Sequence, residues 1–278
     1  MSYYFEVIPF GQIQESLTYK HSQILPQGSI VQVPLRGKIQ GGVVLCQTKE
    51  SDIKFDLKKI LKIKSFYTHT ISKHNLEFYQ YLSLHYFIDL GMVFKMALQQ
   101  YPTSDIKNYF TYQNQIFTSQ KSLIEGFSLS AKQWKDLITN KQITQITKSF
   151  LFQKIVKPIS LNDDQLKIFN NIWKKENKSF SNHLIDGVTG SGKTELYFKL
   201  IEENLISGKQ TLVLLPEIAL TEEWSKRFSQ YFGCDPFVWH SKQTKQQKSR
   251  ILRSLLSGEP SVIIGARSAV LLPFKNLK

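Results

Sequence analysis

Cysteine is scarce and long apolar runs are absent, and both facts exclude classes of protein. The 278 residues include two cysteines, Cys46 and Cys234, which are too few for a disulfide framework or a complete zinc site. No apolar run approaches the roughly 18 residues that a membrane span needs, and the first ten residues lack the basic and then apolar order of a secretory signal. We therefore expect a reduced cytoplasmic protein with two packed thiols and no membrane partner.

Acidic residues are also in the minority, so the formal net charge is +14. The excess is spread along the chain, with +4 in residues 1–101, +5 in 102–160 and +5 in 161–278. A basic surface favours a polyanion such as nucleic acid. Only five of the 36 basic residues are arginine, and a lysine-rich solvated surface has the same composition, so charge alone leaves both interpretations open.

The segment GVTGSGKT (187–194) fits the phosphate-binding pattern G-x-x-x-x-G-K-[ST] without a mismatch. Leu184-Ile185 before it predicts a strand end, and residues 195–201 after it predict the start of a helix. In that setting the lysine reaches the β- and γ-phosphates and the threonine binds magnesium. A glycine-rich turn that binds nothing is the alternative. The predicted ATP-binding residues are Gly187, Val188, Thr189, Gly190, Ser191, Gly192, Lys193, Thr194 and Glu195, with Lys193 and Thr194 catalytic and Thr194 on Mg²⁺.

The residues before this loop predict two smaller units. Strands are predicted at 2–10, 29–35, 41–46 and 60–63, which indicates a small β-barrel or sandwich. A helix with a wide aromatic face is predicted at 74–90, for packing on the sheet or, alternatively, for stacking on a base. Residues 103–157 predict a capped helix at 130–138 and a strand at 150–156, which fit a winged-helix module ending near Lys157-Pro158.

The rest of the chain alternates helix and strand. Helices are predicted at 162–175, 221–232 and 243–256, and strands at 211–215, 237–239 and 261–264, with the first and last of these strands buried and parallel. This is the pattern of a doubly wound nucleotide-binding domain. The predicted fold class is α/β and multidomain.

Several strings in this sequence match a known family. They are DGVTGSGKTELY (186–197), LLPEIALT (214–221), WHS (239–241), IGARSAVLLPF (264–274), VPLRGKIQGGVV (33–44) and HYFIDLGMVFKMALQ (85–99). On these residues the chain resembles the N-terminal part of the PriA family, the bacterial replication-restart helicases of superfamily 2. PEIALT and GARSA at this spacing argue against another superfamily 2 motor.

The resemblance implies three domains: a β-rich domain at 1–101 that binds the 3′ end of DNA, a winged-helix-like domain at 102–158, and a RecA-like helicase lobe at 159–278. It also implies that Gln165 reads adenine. Leu17 and Thr18 align with a Phe-Asp pair that contacts the terminal nucleotide, so Thr18 removes the carboxylate that recognises the 3′ hydroxyl. His240-Ser241 would begin a loop near the DNA. The other DNA contacts that the resemblance implies are Arg36, Lys58, Pro216, Glu217, Thr221, Gly265, Ala266, Arg267 and Ser268.

The family's remaining catalytic parts are expected to lie beyond Lys278. They are the Asp-Glu-Glu-His strand, the second lobe with its arginine finger, and the zinc-binding cysteines. Phosphoryl transfer needs the metal, the water-positioning acid and the finger together, so we expect this chain alone to be an inactive fragment.

Two hypotheses about function remain. One is an ATP-dependent 3′-to-5′ helicase that restarts stalled forks and D-loops with primosome proteins and single-stranded DNA-binding protein in the bacterial nucleoid. The other is a truncated, non-hydrolysing module that binds branched DNA. A downstream Asp-Glu-Glu-His motif in the encoding DNA would favour the first, and a stop codon after Lys278 would favour the second.

Overall fold

The computed structural model describes residues 2–98, 101, 109–112, 115–117, 130, 133, 136–137, 144–146, 157–176, 180–188, 190–216 and 222–278. Within those ranges, no helix combines the length and apolarity that crossing a membrane requires.

The N-terminal region is a five-stranded antiparallel sheet with strand order β2-β1-β4-β3-β5. Its strands are β1 (Tyr3–Pro9), β2 (Leu17–His21), β3 (Ser29–Leu35), β4 (Lys38–Thr48) and β5 (Ser65–Thr70). The predicted strands at 2–10, 29–35 and 41–46 are confirmed. The strand predicted at 60–63 is wrong, because this segment follows a 3₁₀ turn and forms a single bridge, from Lys62 to Lys20.

The aromatic helix ends earlier than predicted, and a second helix follows it. Helix α1 runs from Lys73 to Tyr86 and α2 from Leu90 to Leu98. Phe87 adopts the left-handed conformation (φ 52°) and its N–H closes the last turn of α1, which ends the helix because the right-handed path cannot continue. Tyr79 is buried, as core packing predicts, whereas Tyr81 and Tyr86 are exposed.

The middle region contains a second, three-stranded antiparallel sheet. Strands β6 (Tyr109–Tyr112), β7 (Gln115–Phe117) and β8 (Thr144–Ile146) lie in the order β7-β6-β8. In the helix predicted at 130–138, the described residues 133, 136 and 137 are helical, and the Ser130 Oγ accepts the N–H of Gln133 at 3.3 Å, as in an N-cap. The strand predicted at 150–156 lies outside the described residues.

The C-terminal region has the predicted α/β order. It comprises α3 (Asp163–Glu176), α4 (Lys193–Ile206), β9 (Gln210–Leu214), α5 (Glu222–Phe232), β10 (Phe237–Trp239), α6 (Lys245–Ser257), β11 (Ser261–Gly265) and a 3₁₀ turn (Arg267–Leu271), called here the 267–271 turn. The three strands are parallel, in the order β10-β11-β9. β11 is fully buried, as predicted.

Two predictions about this sheet are wrong. β9 is parallel but only half-buried, with Leu214 51% exposed, because it lies at the edge of the described sheet. Residues 181–188 form no strand before the phosphate loop, and Leu184 is 95% exposed. A strand needs a neighbour to satisfy its backbone groups, and none of the described strands pairs with this segment.

One buried core joins the N-terminal sheet to the C-terminal region. It includes Ile30 and Val43 of the sheet, Phe94 of α2, and Leu252 and Leu255 of α6. Apolar side chains of the two regions therefore pack against each other and are removed from water. The two regions pack as one body in spite of the roughly 200 residues between them in sequence.

Candidate functional site

The phosphate loop has a backbone that only glycine adopts without strain. Gly190 and Gly192 have φ values of 81° and 83°, in the left-handed region that disfavours side chains. A Cβ on Gly192 would clash with the side-chain amide of Gln165. Because Gly192 provides no side-chain cap, the first turn of α4 begins without one, and its N–H groups face the loop as in an anion site.

Gln165 connects α3 to this loop. Its amide oxygen accepts the Asn162 N–H at 2.9 Å, and Asn162 in turn accepts the Gln165 N–H, so the start of α3 is capped reciprocally. The Gln165 Nε2 donates to the carbonyls of Ser191 and Gly192 at 3.3 Å each. The structure thus brings Gln165 to the loop, although it lies 26 residues before Ser191 and 27 before Gly192 in the sequence.

Lys193 folds back into the loop. Its Nζ donates to the carbonyl of Val188 at 2.8 Å and also to that of Gly187. The ammonium group therefore lies where the loop encircles a phosphate, and Thr194 follows it in the first turn of α4. These residues fit a nucleotide phosphate and its magnesium ion, since the loop offers backbone donors, one ammonium group and one hydroxyl. Thr189 lies outside the described residues.

Glu195, predicted to bind ATP, pairs with Arg227 of α5. The same two helices are joined by a cluster of rings, in which Phe198 of α4 meets Trp224 at 5.2 Å and Phe228 at 6.1 Å, both edge to face. Such pairs add to the stabilisation from burial. The loop helix is therefore anchored to α5, and Arg227 is a contact that sequence reasoning missed.

The carboxyl ends of the parallel strands form the second part of the site. Leu215 N donates to Gly265 O at 3.0 Å, which places Pro216 beside the start of the GARSA motif. Arg267 and Ser268 are exposed, whereas Ala266 is buried. This edge of a parallel sheet is where ligands of α/β folds bind.

Two further predictions concern the same edge. Trp239 of β10 is paired with Gly265, so His240-Ser241 follow at this edge too. Glu217 and Thr221, predicted to contact DNA, lie outside the described residues.

The N-terminal sheet brings Thr18 next to a carboxylate that sequence reasoning missed. Glu6 of β1 lies directly opposite Thr18 of β2, and its Oε1 accepts the Thr18 hydroxyl at 2.8 Å and the Thr48 hydroxyl at 3.2 Å. Its Oε2 accepts the Ser16 hydroxyl at 2.6 Å. A carboxylate has about four acceptor positions, so three are filled by these bonds and one, on Oε2, is left.

Basic groups lie close to this pair of strands. Lys20 of β2 donates to the carbonyl of Leu57 at 3.2 Å, which brings the exposed Lys58 to the β2 edge. The hydroxyl of Tyr19 donates to Pro34 O at 3.0 Å, near the β3–β4 turn. The predicted contacts Leu17, Thr18 and Lys58 are therefore assembled around β2.

The β3–β4 turn has a fixed shape. It consists of Arg36 (φ 49°) and Gly37 (φ 76°), both in the left-handed region that a two-residue hairpin of this kind requires. Arg36 is exposed at its tip. The turn therefore presents one arginine to solvent from a rigid hairpin.

One of the two thiols is not packed, contrary to the prediction. Cys46 is exposed, so the prediction that both thiols are packed is wrong for it. Cys234 is half-buried, and burial together with the nearby Asp235 raises its pKa to about 11. Among the described residues, no group of three or more His, Cys, Asp or Glu is placed to hold a metal ion.

Two family models match the chain. Residues 6–99 match the 3′ DNA-binding domain of PriA, and residues 158–268 match the family described as the res subunit of type III restriction enzymes, which is helicase-like. The first range contains the Glu6–Thr18 pair and the basic β3–β4 turn. The second contains the phosphate loop and the start of the GARSA motif.

The curated proteins to which this chain is similar share the name replication restart protein PriA. The chain is 34% identical to the replication restart protein PriA of Rickettsia conorii over 250 residues, which are 90% of this chain and 32% of that protein. It is 28% identical to that of Chlamydia trachomatis over 322 residues, 99% of this chain and 43% of that protein. It is 55% identical to the replication restart protein PriA of Rickettsia felis over 101 residues, which are 36% of this chain and 16% of that protein.

The chain thus spans less than half the length of these relatives. The matches lie on the same parts of the chain whose geometry is described above. The chain is homologous to the replication restart protein PriA, with a 3′ DNA-binding domain and a helicase-like segment.

Proposed function

We propose that this chain recognises the 3′ end of DNA at branched structures and binds ATP for a 3′-to-5′ DNA helicase of replication restart. The observation that carries the proposal is the single core that joins the 3′ DNA-binding domain to the lobe with the phosphate loop. A nucleotide site and a DNA-end site in one packed body suit a motor that begins work at a DNA end. The proposal includes a bacterial cytoplasmic, nucleoid-associated location.

In the nucleotide site, Lys193 binds the β- and γ-phosphates and the hydroxyl of Thr194 binds magnesium. Gln165 holds the loop through Ser191 and Gly192, and its amide oxygen, which accepts one bond from Asn162, offers its second acceptor position to the adenine amino group. The magnesium ion, when bound, neutralises the charge of the β- and γ-phosphate oxygens. The part of the chain described here contributes binding and orientation to this chemistry.

At the DNA end, Glu6 supplies the carboxylate that Thr18 lacks. Its remaining acceptor position on Oε2 suits one more hydroxyl donor, and a terminal 3′ hydroxyl is such a donor. A terminal phosphate would instead be repelled by the same carboxylate. Arg36 and Lys58 hold backbone phosphates near by, which positions the strand without reading its sequence.

In the helicase lobe, the exposed Arg267 and Ser268 bind phosphates of the single strand beside Pro216. We assign residues 1–101 to the DNA-end domain, 102–158 to a winged-helix-like domain and 159–278 to the lobe. The antiparallel sheet of β6, β7 and β8 and the helical residues 133, 136 and 137, with Ser130 as the N-cap, support the second assignment. Primosome proteins and single-stranded DNA-binding protein are the proposed protein partners.

The test is fluorescence anisotropy of the 278-residue chain with two forked DNAs. One fork carries a free 3′ hydroxyl at the branch, and the other carries a 3′ phosphate at the same position. We expect tighter binding to the free end. Equal affinities would show that only charge and branch shape are recognised and would refute the end-specific function.

A further inference from the structure

The 267–271 turn is held at its far end by the N-terminal domain. The hydroxyl of Tyr79 donates to the carbonyl of Leu271, the last residue of the turn, at 2.9 Å. Asn75 Nδ2 donates to the carbonyl of Phe274 at 2.7 Å. Tyr79 and Asn75 both lie on α1, so one helix of the N-terminal region holds the last carbonyl of the turn and a second carbonyl three residues after it.

The other end of the turn is fixed within the lobe. Leu215 N donates to Gly265 O, and a Cβ on Gly265 would clash with Ala269, which is fully buried. Between these two anchors, Arg267 and Ser268 project into solvent. A turn of five residues with both ends held has little freedom, so the positions of its side chains depend on both anchors.

Tyr79 is well suited to this role. Its side chain has no exposed surface, and its ring meets that of Phe94 edge to face at 5.9 Å. Burial raises the pKa of the Tyr79 hydroxyl well above its usual range, so the group remains a proton donor. Leu271 is half-buried, and its carbonyl would lose this partner if the Tyr79 hydroxyl were removed.

We propose that Tyr79 and Asn75 are positioning residues for single-strand binding by Arg267 and Ser268. The DNA-end domain and the helicase lobe then form one DNA-binding unit, in which the first domain shapes a contact made by the second. This inference rests on the proposed role of the 267–271 turn in holding DNA phosphates.

The experiment is a double-mutant cycle on the 278-residue chain. Anisotropy would measure the binding of a 3′-phosphorylated single-stranded oligonucleotide, which removes any contribution from a free 3′ hydroxyl. The variants are Tyr79→Phe, Arg267→Ala and the double variant. Ser29→Ala is the control, because Ser29 is also buried and its hydroxyl donates to a backbone carbonyl, that of Pro26, at 2.6 Å within the N-terminal domain.

We expect Arg267→Ala, which removes a DNA contact, to weaken binding about tenfold, and Tyr79→Phe, which only loosens the turn, to weaken it less, about threefold to fivefold. In the Arg267→Ala background, Tyr79→Phe should weaken binding less than it does in the parent, because only Ser268 of the positioned pair remains. Ser29→Ala should bind within about twofold of the parent while also lowering the thermal unfolding midpoint, because it too removes a hydroxyl that donates to a backbone carbonyl. If Tyr79 had a purely structural role, Tyr79→Phe would lower the thermal unfolding midpoint, and its effect on DNA affinity would be the same with and without Arg267.

The possible results distinguish a failure of the positioning role from a failure of the proposed role of the 267–271 turn in DNA binding. No effect of Arg267→Ala would refute the role of the turn itself. A clear effect of Arg267→Ala, with Tyr79→Phe equal to Ser29→Ala or additive with Arg267→Ala, would overturn the positioning role alone. If Tyr79→Phe does not fold, Asn75→Ala takes its place in the cycle. Its control is Ser83→Ala, which removes a hydrogen bond to Ile88 O near the end of the same helix.

Discussion

Replacing Glu6 by glutamine tests whether this carboxylate recognises a DNA end. The change keeps the shape of the side chain, removes its charge and turns one acceptor oxygen into a donor. Thr18 and Thr48 donate to Oε1 and Ser16 to Oε2, so a glutamine that keeps its oxygen toward the threonines presents an NH₂ group where Oε2 was. The acceptor position proposed for the 3′ hydroxyl is then lost.

The size of the effect follows from the type of hydrogen bond. A bond to a charged group contributes about 1.5–3 kcal/mol, which corresponds to roughly 10- to 100-fold in affinity. Glu6 is only half-buried, so solvent weakens the interaction and we expect about tenfold, at the lower end. The quantity to compare is the ratio of affinities for forks with a free and with a phosphorylated 3′ end, which should fall about tenfold toward one.

Glu15→Gln is the matched control for this prediction. Glu15 is exposed and precedes Ser16, so both variants lose one negative charge at nearly the same place, and repulsion of DNA phosphates falls about equally in both. Anisotropy with the two forks should show that Glu15→Gln keeps the ratio while Glu6→Gln loses it. An unchanged ratio in Glu6→Gln, or an equal fall in both variants, would refute the assignment of the 3′ hydroxyl to Glu6.

Three further predictions concern nucleotide binding, the buried polar core and pH. Lys193→Ala should abolish binding of a fluorescent ATP analogue but leave fork binding within about twofold; equal loss of both would contradict separate sites. Gln210→Leu should lower the free energy of unfolding in urea by about 3–5 kcal/mol, since the buried Gln210 side chain makes five hydrogen bonds to backbone groups; a loss below about 1 kcal/mol would refute this. The pKa of His69 is lowered mainly by burial and to a lesser extent by the positive charges of Arg253 and Lys275. The unfolded chain therefore binds the proton more readily, and stability should fall as pH drops below about 6.5. His69→Gln should reduce that slope in thermal unfolding, and an unchanged slope would assign it to other groups.

The parts of the fold that depend on neighbouring residues were predictable. The phosphate loop is one contiguous segment, and its glycines, lysine and following helix all lie where the pattern placed them. β11 was predicted because its residues are apolar throughout, as a strand covered on both faces requires. Only the family resemblance predicted that Gln165 belongs to the nucleotide site, because the distance in sequence between Gln165 and the loop indicates no contact.

Predictions failed where pairing between distant segments decides the structure. β2 has the sequence LTYKH, with no clear alternation, and it exists because β1 pairs with it. Residues 184–185 are apolar, yet without a pairing strand they form none. Glu6 was missed for the same reason, since its contact with Thr18 follows from the register of two strands and from no local pattern.

The joined core changes what a domain boundary near residue 101 means. Tyr101 itself belongs to that core, and its hydroxyl lies 3.0 Å from the Nδ1 of His69. A modular chain would have polar surfaces on either side of such a boundary, because inter-domain interfaces that permit motion are small and polar. Here α6 and β11 of the lobe share buried apolar residues with the N-terminal sheet. The N-terminal and C-terminal regions are therefore packed as one body, so the proposed 3′-end site at Glu6 has a fixed position relative to Arg267.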